Sequence, residues 1–175
     1  MARHNARRLA LATSCAALAA CVVNLSFDMD QRGLTLTGDV SQPLAQNVLV
    51  DLDKYPDVHS HRSDIESIDL DSADVTITSV NQGMGATLEL SLSLRKTLDD
   101  PPENDVQLGT LSNFVVMISG TRHIRGNPAI DAFLLERLRD GGTFFLVISG
   151  TADRQIDLVL DVDLHASMAY DTGFF

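Results

Sequence analysis

The chain is poor in cysteine, lacks tryptophan and has few cations, and each shortage removes a class of function. Cys15 and Cys21 are the only cysteines among 175 residues. Both lie at the start, so no disulfide staples the body, which must hold by its own hydrophobic core. Tryptophan is absent, and Tyr55 and Tyr170 are the only tyrosines. Sugar-binding faces rely on stacking aromatics, so a carbohydrate module has little to build with. Lys and Arg together number 13 against 24 Asp and Glu, a net charge of −11. Nucleic-acid binding needs a basic footprint and is excluded as a partner class. The same charge opposes lying flat on an anionic lipid surface. No G-x-S-x-G nucleophile elbow is present. His123 and His165 are isolated in sequence, and carboxylate pairs are too many for any to stand out. No catalytic residue and no cofactor is expected.

The start of the chain is the most specific feature that is present. Arg3, Arg7 and Arg8 precede an apolar run from Leu9 to Ala17. That run is too short to cross a bilayer core of about 30 Å as a permanent helix. It ends in Leu18-Ala19-Ala20-Cys21. A basic start, an apolar run and small residues form an export signal. With a cysteine closing it, the segment resembles a bacterial lipoprotein signal, whose box places an aliphatic residue three positions before the cysteine. Cys15 fits that box less well, because Ala12 then stands in the aliphatic position.

The resemblance covers about the first 21 residues and implies removal of residues 1–20, lipidation at Cys21 and a single domain over 21–175. It places the protein in the bacterial cell envelope, partnered with the membrane through the lipid on Cys21. Two or more acyl chains make such an anchor firm. Val22 follows the cysteine where the family's inner-membrane retention signal has Asp, which favours the outer membrane. An ordinary signal cut near Ala20, leaving a soluble exported protein, is the plain alternative. Loss of Arg3, Arg7 and Arg8 would take the net charge from −11 to −14.

Period-2 alternation dominates the body and marks half-buried strands. Leu25 to Asp30 and Leu34 to Thr37 alternate on either side of Gln31-Arg32-Gly33, which reads as a hairpin turn. Val48 to Leu52, Ile65 to Leu70, Val75 to Val80 and Thr87 to Arg95 read as further strands. Phe114 to Ile118 and Phe144 to Ile148 are continuous apolar runs suited to central strands buried on both faces. A strand-helix-strand unit from 114 to 148 would allow a parallel crossover. Ile156 to Tyr170 alternates again. One amphipathic helix is expected over 128–139. Asn127 caps it, Pro128 opens it, Arg137 and Arg139 sit in its last turn, and Gly141-Gly142 ends it. The fold class is all-β, a two-sheet antiparallel β-sandwich, immunoglobulin-like or similar, of eight or nine strands.

His59-Ser60-His61, near Asp57 and Asp64, is the best metal-like cluster, since two histidines one residue apart share a face of an extended segment. It lacks a third ligand nearby, and a solvated polar loop is the plainer reading. Asp28-x-Asp30-x-Arg32-Gly33 mimics the opening of a calcium loop, with Arg32 in a ligand position where it would repel the ion. The pairs Asp28/Asp30, Asp51/Asp53, Asp69/Asp71 and Asp161/Asp163 read as outward strand positions that discourage edge-to-edge aggregation. Gathered at one end of a sandwich, they would suit calcium instead. The expectation is a lipid-anchored, non-enzymatic structural or protein-interaction module with an envelope protein as partner. The alternatives are a binding protein for an apolar or lipidic ligand held in the sandwich, and a calcium-dependent adhesin.

Overall fold

The computed structural model describes residues 22–172, so Cys21 and the segment before it lie outside the described residues. Eight strands run in the order β1 (Val22–Gly38), β2 (Leu44–Asp51), β3 (Ile65–Gln82), β4 (Thr87–Arg95), β5 (Val106–Val115), β6 (Thr121–Arg125), β7 (Thr143–Ala152) and β8 (Ile156–Asp171). A short helix α1 (Pro56–His61) precedes β3, and α2 (Pro128–Arg139) precedes β7. The strands form two antiparallel sheets, β1-β8-β3-β6 and β2-β7-β4-β5.

The first strand pairs with the last, the second with the second-last, and so inward to β4 with β5. This is a long hairpin rolled into two sheets, the strand order of a jelly roll. The sandwich expected from alternation is present. Its strand order differs from that of an immunoglobulin domain, where the first strand does not pair with the last.

Alternation explains which faces meet. Along β8 every second residue from Ile156 to Tyr170 is buried, and the residues between them face outward. On β4, Leu88, Leu90, Leu92 and Leu94 are buried against them. Phe114, Phe144, Met29 and Ile77 complete a continuous filled core between the sheets.

Four sequence expectations are corrected. Residues 25–37 form one strand, not a hairpin. Gly33 adopts φ 68° within a bulge between Gln31 and Leu34, and β8 continues alongside. The extra residue flips parity, so Phe27 and Met29 point inward before the bulge and Leu34 and Leu36 after it. Residues 65–82 likewise form one strand, with bulges that include Leu70/Ser72. Phe114 to Ile118 is not a central strand. Phe114 and Val115 end the edge strand β5, and residues 116–118 lie in the following loop. The 114–148 unit is not a simple strand-helix-strand crossover. β5 and β7 run parallel but are separated by β4, antiparallel to both, and the chain between them visits the other sheet as β6 before α2.

The expected helix matches α2 at both ends. The Asn127 side chain accepts from the Ala129 and Ile130 amides, and Gly142 returns its N–H to Arg137. Ile130, Leu134 and Leu138 are buried, with Phe133 partly so. Asp131 also reaches the sheet, accepting from the Leu70 amide at 2.9 Å.

The fold has two poles. Loops 39–43, 83–86, 116–120 and 153–155 gather at one, the loop end. At the other, the helix end, Val22 aligns with Asp171 and Ile65 with Tyr170, beside α1 and the C-terminal turn of α2.

Candidate functional site

A charged network crosses the outer face of β1-β8-β3-β6. Period-2 spacing and register place Asp28 opposite His165, Asp30 opposite Asp163, and Asp74 between Asp163 and His123. Arg32, next to the β1 bulge, lies 3.1 Å from Asp30, 3.2 Å from Asp161 and 2.9 Å from Asp163. His165 Nδ1 is 2.7 Å from Asp28 Oδ1, and its Nε2 is 3.4 Å from Asp74 Oδ2. The other Asp74 oxygen lies 2.8 Å from His123 Nδ1. Carboxylates and imidazoles thus alternate across all four strands.

The Asp28 carboxylate raises the His165 pKa above its ordinary value, with Asp74 adding to the effect against some desolvation. Burial pushes the Asp163 carboxyl up, and Asp30 reinforces that, while Arg32 opposes it. Both ring nitrogens of His165 face carboxylates, so neither is poised to take a proton from a hydroxyl. The arrangement suits a pH-responsive sheet surface and gives no support to nucleophilic catalysis.

The two poles differ in chemistry. At the loop end, Val40, Met84, Val115, Met117 and Ile118 are 42–68% exposed. The 83–86 and 116–120 loops are joined by backbone bonds from Gly85 to Val116 and from Val116 to Ala86, each 2.8 Å. Met84 and Met117 therefore sit on neighbouring turns. Asp39, Glu89 and Asp153 lie around this end and bond to Ser41, Asn113 and Thr87. The helix end holds three concavities of about 530, 260 and 260 Å³. None of the three is lined by the leucines that fill the space between the sheets.

The residues singled out by sequence are only partly brought together. His59 and His61 lie on α1, two residues apart in a helix, where side chains do not face each other. His61 instead stacks on Tyr170 at 3.9 Å, and His59 faces the largest concavity. The extended geometry on which the pair would share a face is therefore absent. Among the described residues no group of three or more His, Cys, Asp or Glu side chains could hold a metal ion. Asp28/Asp30, Asp69/Asp71 and Asp161/Asp163 lie along the strands of one sheet, away from any loop cluster, and Arg32 supplies the cation for three of those carboxylates. Asp51 and Asp53 differ: Asp51 caps a turn and Asp53 grips Arg62. Cys21 lies outside the described residues. Among them, no helix is long and apolar enough to cross a membrane.

Sequence reasoning treated His123 and His165 as isolated, because their partners lie 49 and 137 residues away. It also read Val115 to Ile118 as core. The Ser119-Gly120 dipeptide after the run is the sequence signal of a turn there, where Ser119 takes φ 63°.

No protein-family model matches the chain, and no curated protein matches it. Among solved structures the chain is similar to one of turnip yellow mosaic virus, at 11% identity over 99% of this chain and 93% of that one, with a TM-score of 0.42. A structure of Mud crab tombus-like virus is similar at 10% identity over 99% and 96%, with a TM-score of 0.43. One of tobacco necrosis virus is similar at 8% identity over 86% and 98%, with a TM-score of 0.39. The jelly-roll assignment rests on the strand order given above.

Proposed function

We propose that the chain is a lipid-anchored protein of the bacterial cell envelope, held through Cys21, and acts as a non-enzymatic protein-interaction module. The observation that carries this reading is the polarity of the sandwich. β1 begins at Val22, one residue after the lipidation site, so the helix end stands at the membrane. The exposed apolar residues of the loop end then stand at the far pole, about 55 Å away along a 17-residue strand. Clustered apolar side chains in water mark contact surfaces, and methionines adapt to irregular partners. The partner is a protein presenting an apolar patch with cations around it, matching the acidic chain. The filled core counts against an apolar ligand between the sheets, and the strand-bound carboxylates count against a calcium adhesin.

The test is site-specific photo-crosslinking in the native host. A crosslinker at Ile118 or Met84 should yield one shared adduct, absent at Asp69 on the outer sheet face. Met117→Asp should abolish it without moving the unfolding temperature. Equal crosslinking at all three positions, or none, overturns the reading.

A further inference from the structure

The largest of the three helix-end concavities has a chemistry at odds with the acidic chain. Acids outnumber Lys and Arg almost two to one in this chain. Yet the concavity of about 530 Å³ at the helix end is lined by His59, Arg62 and Arg139, by the hydroxyls of Ser60 and Ser63, and by no acid. Ile65 and Leu138 form its apolar part. Its volume lies within the roughly 300–1,000 Å³ of small-molecule sites.

The cations are arranged for an anion. Arg62 Nε donates to the Leu138 carbonyl at 2.9 Å, and its Nη1 donates to both Asp53 carboxylate oxygens, at 2.7 and 2.6 Å. These contacts fix the guanidinium plane and leave Nη2 without a partner among the described residues. The Arg139 side chain is exposed at the end of α2 and makes no ion pair among the described residues. The His59 ring makes no hydrogen bond among the described residues and projects from the last turn of α1. Arg62 is paired with Asp53 much as Arg32, Arg95, Arg137 and Arg154 are paired with carboxylates, whereas Arg139, like Arg125, has no carboxylate partner among the described residues. The acids nearest the concavity are engaged too, Asp53 with Arg62 and Asp64 with the Ser63 hydroxyl.

We infer that this concavity binds a phosphate group, with Arg62 Nη2 and the Arg139 guanidinium as its main donors and His59 and the Ser60 hydroxyl as further ones. Guanidinium forks match phosphate oxygens in geometry as well as charge. The inference goes beyond the proposed function, since the concavity stands whether or not Cys21 carries lipid. If it does, the site faces the membrane, and phospholipid headgroups are within reach. A soluble phosphate offers the same chemistry.

The experiment measures phenylglyoxal modification of the full-length protein, purified from its native host, by mass spectrometry at Arg139. Arg125, an exposed arginine on β6, is the internal control. Inorganic phosphate at twice its Kd should slow Arg139 modification about threefold relative to chloride of equal ionic strength. Arg125 should be unaffected, and His59→Gln should weaken the protection without changing the unfolding temperature. Equal protection of both arginines, or of neither, overturns the inference. The source is then assigned with vesicles. Protection in phosphatidylglycerol vesicles but not in vesicles of the phosphate-free lipid digalactosyldiacylglycerol identifies a headgroup. Protection by inorganic phosphate alone identifies a soluble ligand. Failure to associate with either vesicle counts against the anchor and leaves the inorganic phosphate result to decide this inference.

Discussion

His165 on β8 and Asp28 on β1 face each other across the sheet with Nδ1 and Oδ1 2.7 Å apart. The contact favours the imidazolium, so the His165 pKa is raised in the folded protein. A raised histidine pKa contributes stability that is fully present below the unfolded value near 6.5 and is lost as pH rises through the folded value. Asp28→Asn should lower the His165 pKa, read by NMR titration of its ring proton. The variant should lose more thermal stability at about pH 5.5 than at about pH 8.5, since only the charged ring feels the lost partner. An equal loss at both values would assign the contact no electrostatic role.

Asp140 behaves in the opposite sense. Lys96 and Arg137 hold its carboxyl down to about 2. Arg137 is itself buried and depends on Asp140 and Glu136 for its charge partners. A depressed carboxylate contributes stability above its unfolded pKa and loses it as pH falls through the folded one. Asp140→Ala should therefore destabilise the protein at neutral pH. The gap to wild type should close as pH is lowered through about 2, as followed by urea unfolding across that range. A gap that stays constant would mean Asp140 acts only by capping α2.

Gly126 sits where α2 departs from the sheet. A Cβ added there would overlap the Leu70 carbonyl oxygen, a backbone atom that cannot swing aside. Gly126→Ala should cost about 1–3 kcal/mol, in the range of overpacked sites. Gly85→Ala is the comparison: its Cβ would meet nothing within 4 Å, and its φ of +74° alone opposes the change. Urea midpoints of the two variants separate steric overlap from backbone strain.

The filled core gives a further expectation. Leu160 is fully buried on β8, so Leu160→Ala should cost about 2–5 kcal/mol. Wild-type protein should not take up a fluorescent fatty acid between its sheets. Saturable uptake by the wild type would revive the ligand-binding alternative.

The sandwich itself was legible because alternation is a local signal: Leu88 to Leu94 and Ile156 to Tyr170 reveal their buried faces without knowledge of any partner. The α2 limits were legible for the same reason, since Asn127, Pro128 and Gly142 act within a turn of where they stand. Gln31-Arg32-Gly33 was not. Gly33 serves a turn or a bulge equally well, and the choice was made by Asp161, whose carboxylate takes the Gly33 amide from 128 residues away. The His123-Asp74-His165-Asp28 chain depends on register among four strands, which no local pattern specifies. The cationic concavity was hidden likewise. His59 was singled out for metal because of His61, whereas its neighbours in space are Arg62 and Arg139 at the end of another helix.

The anchor at Cys21 is the central claim, because it sets which pole faces the membrane and which is free. Its most direct test is the intact mass and N-terminal peptide mass of the protein extracted from native membranes. The account predicts a chain that begins at Cys21 and carries a diacylglyceryl thioether, with Cys21→Ser losing both the modification and the membrane association. An unmodified Cys21, or a chain beginning elsewhere, would contradict it.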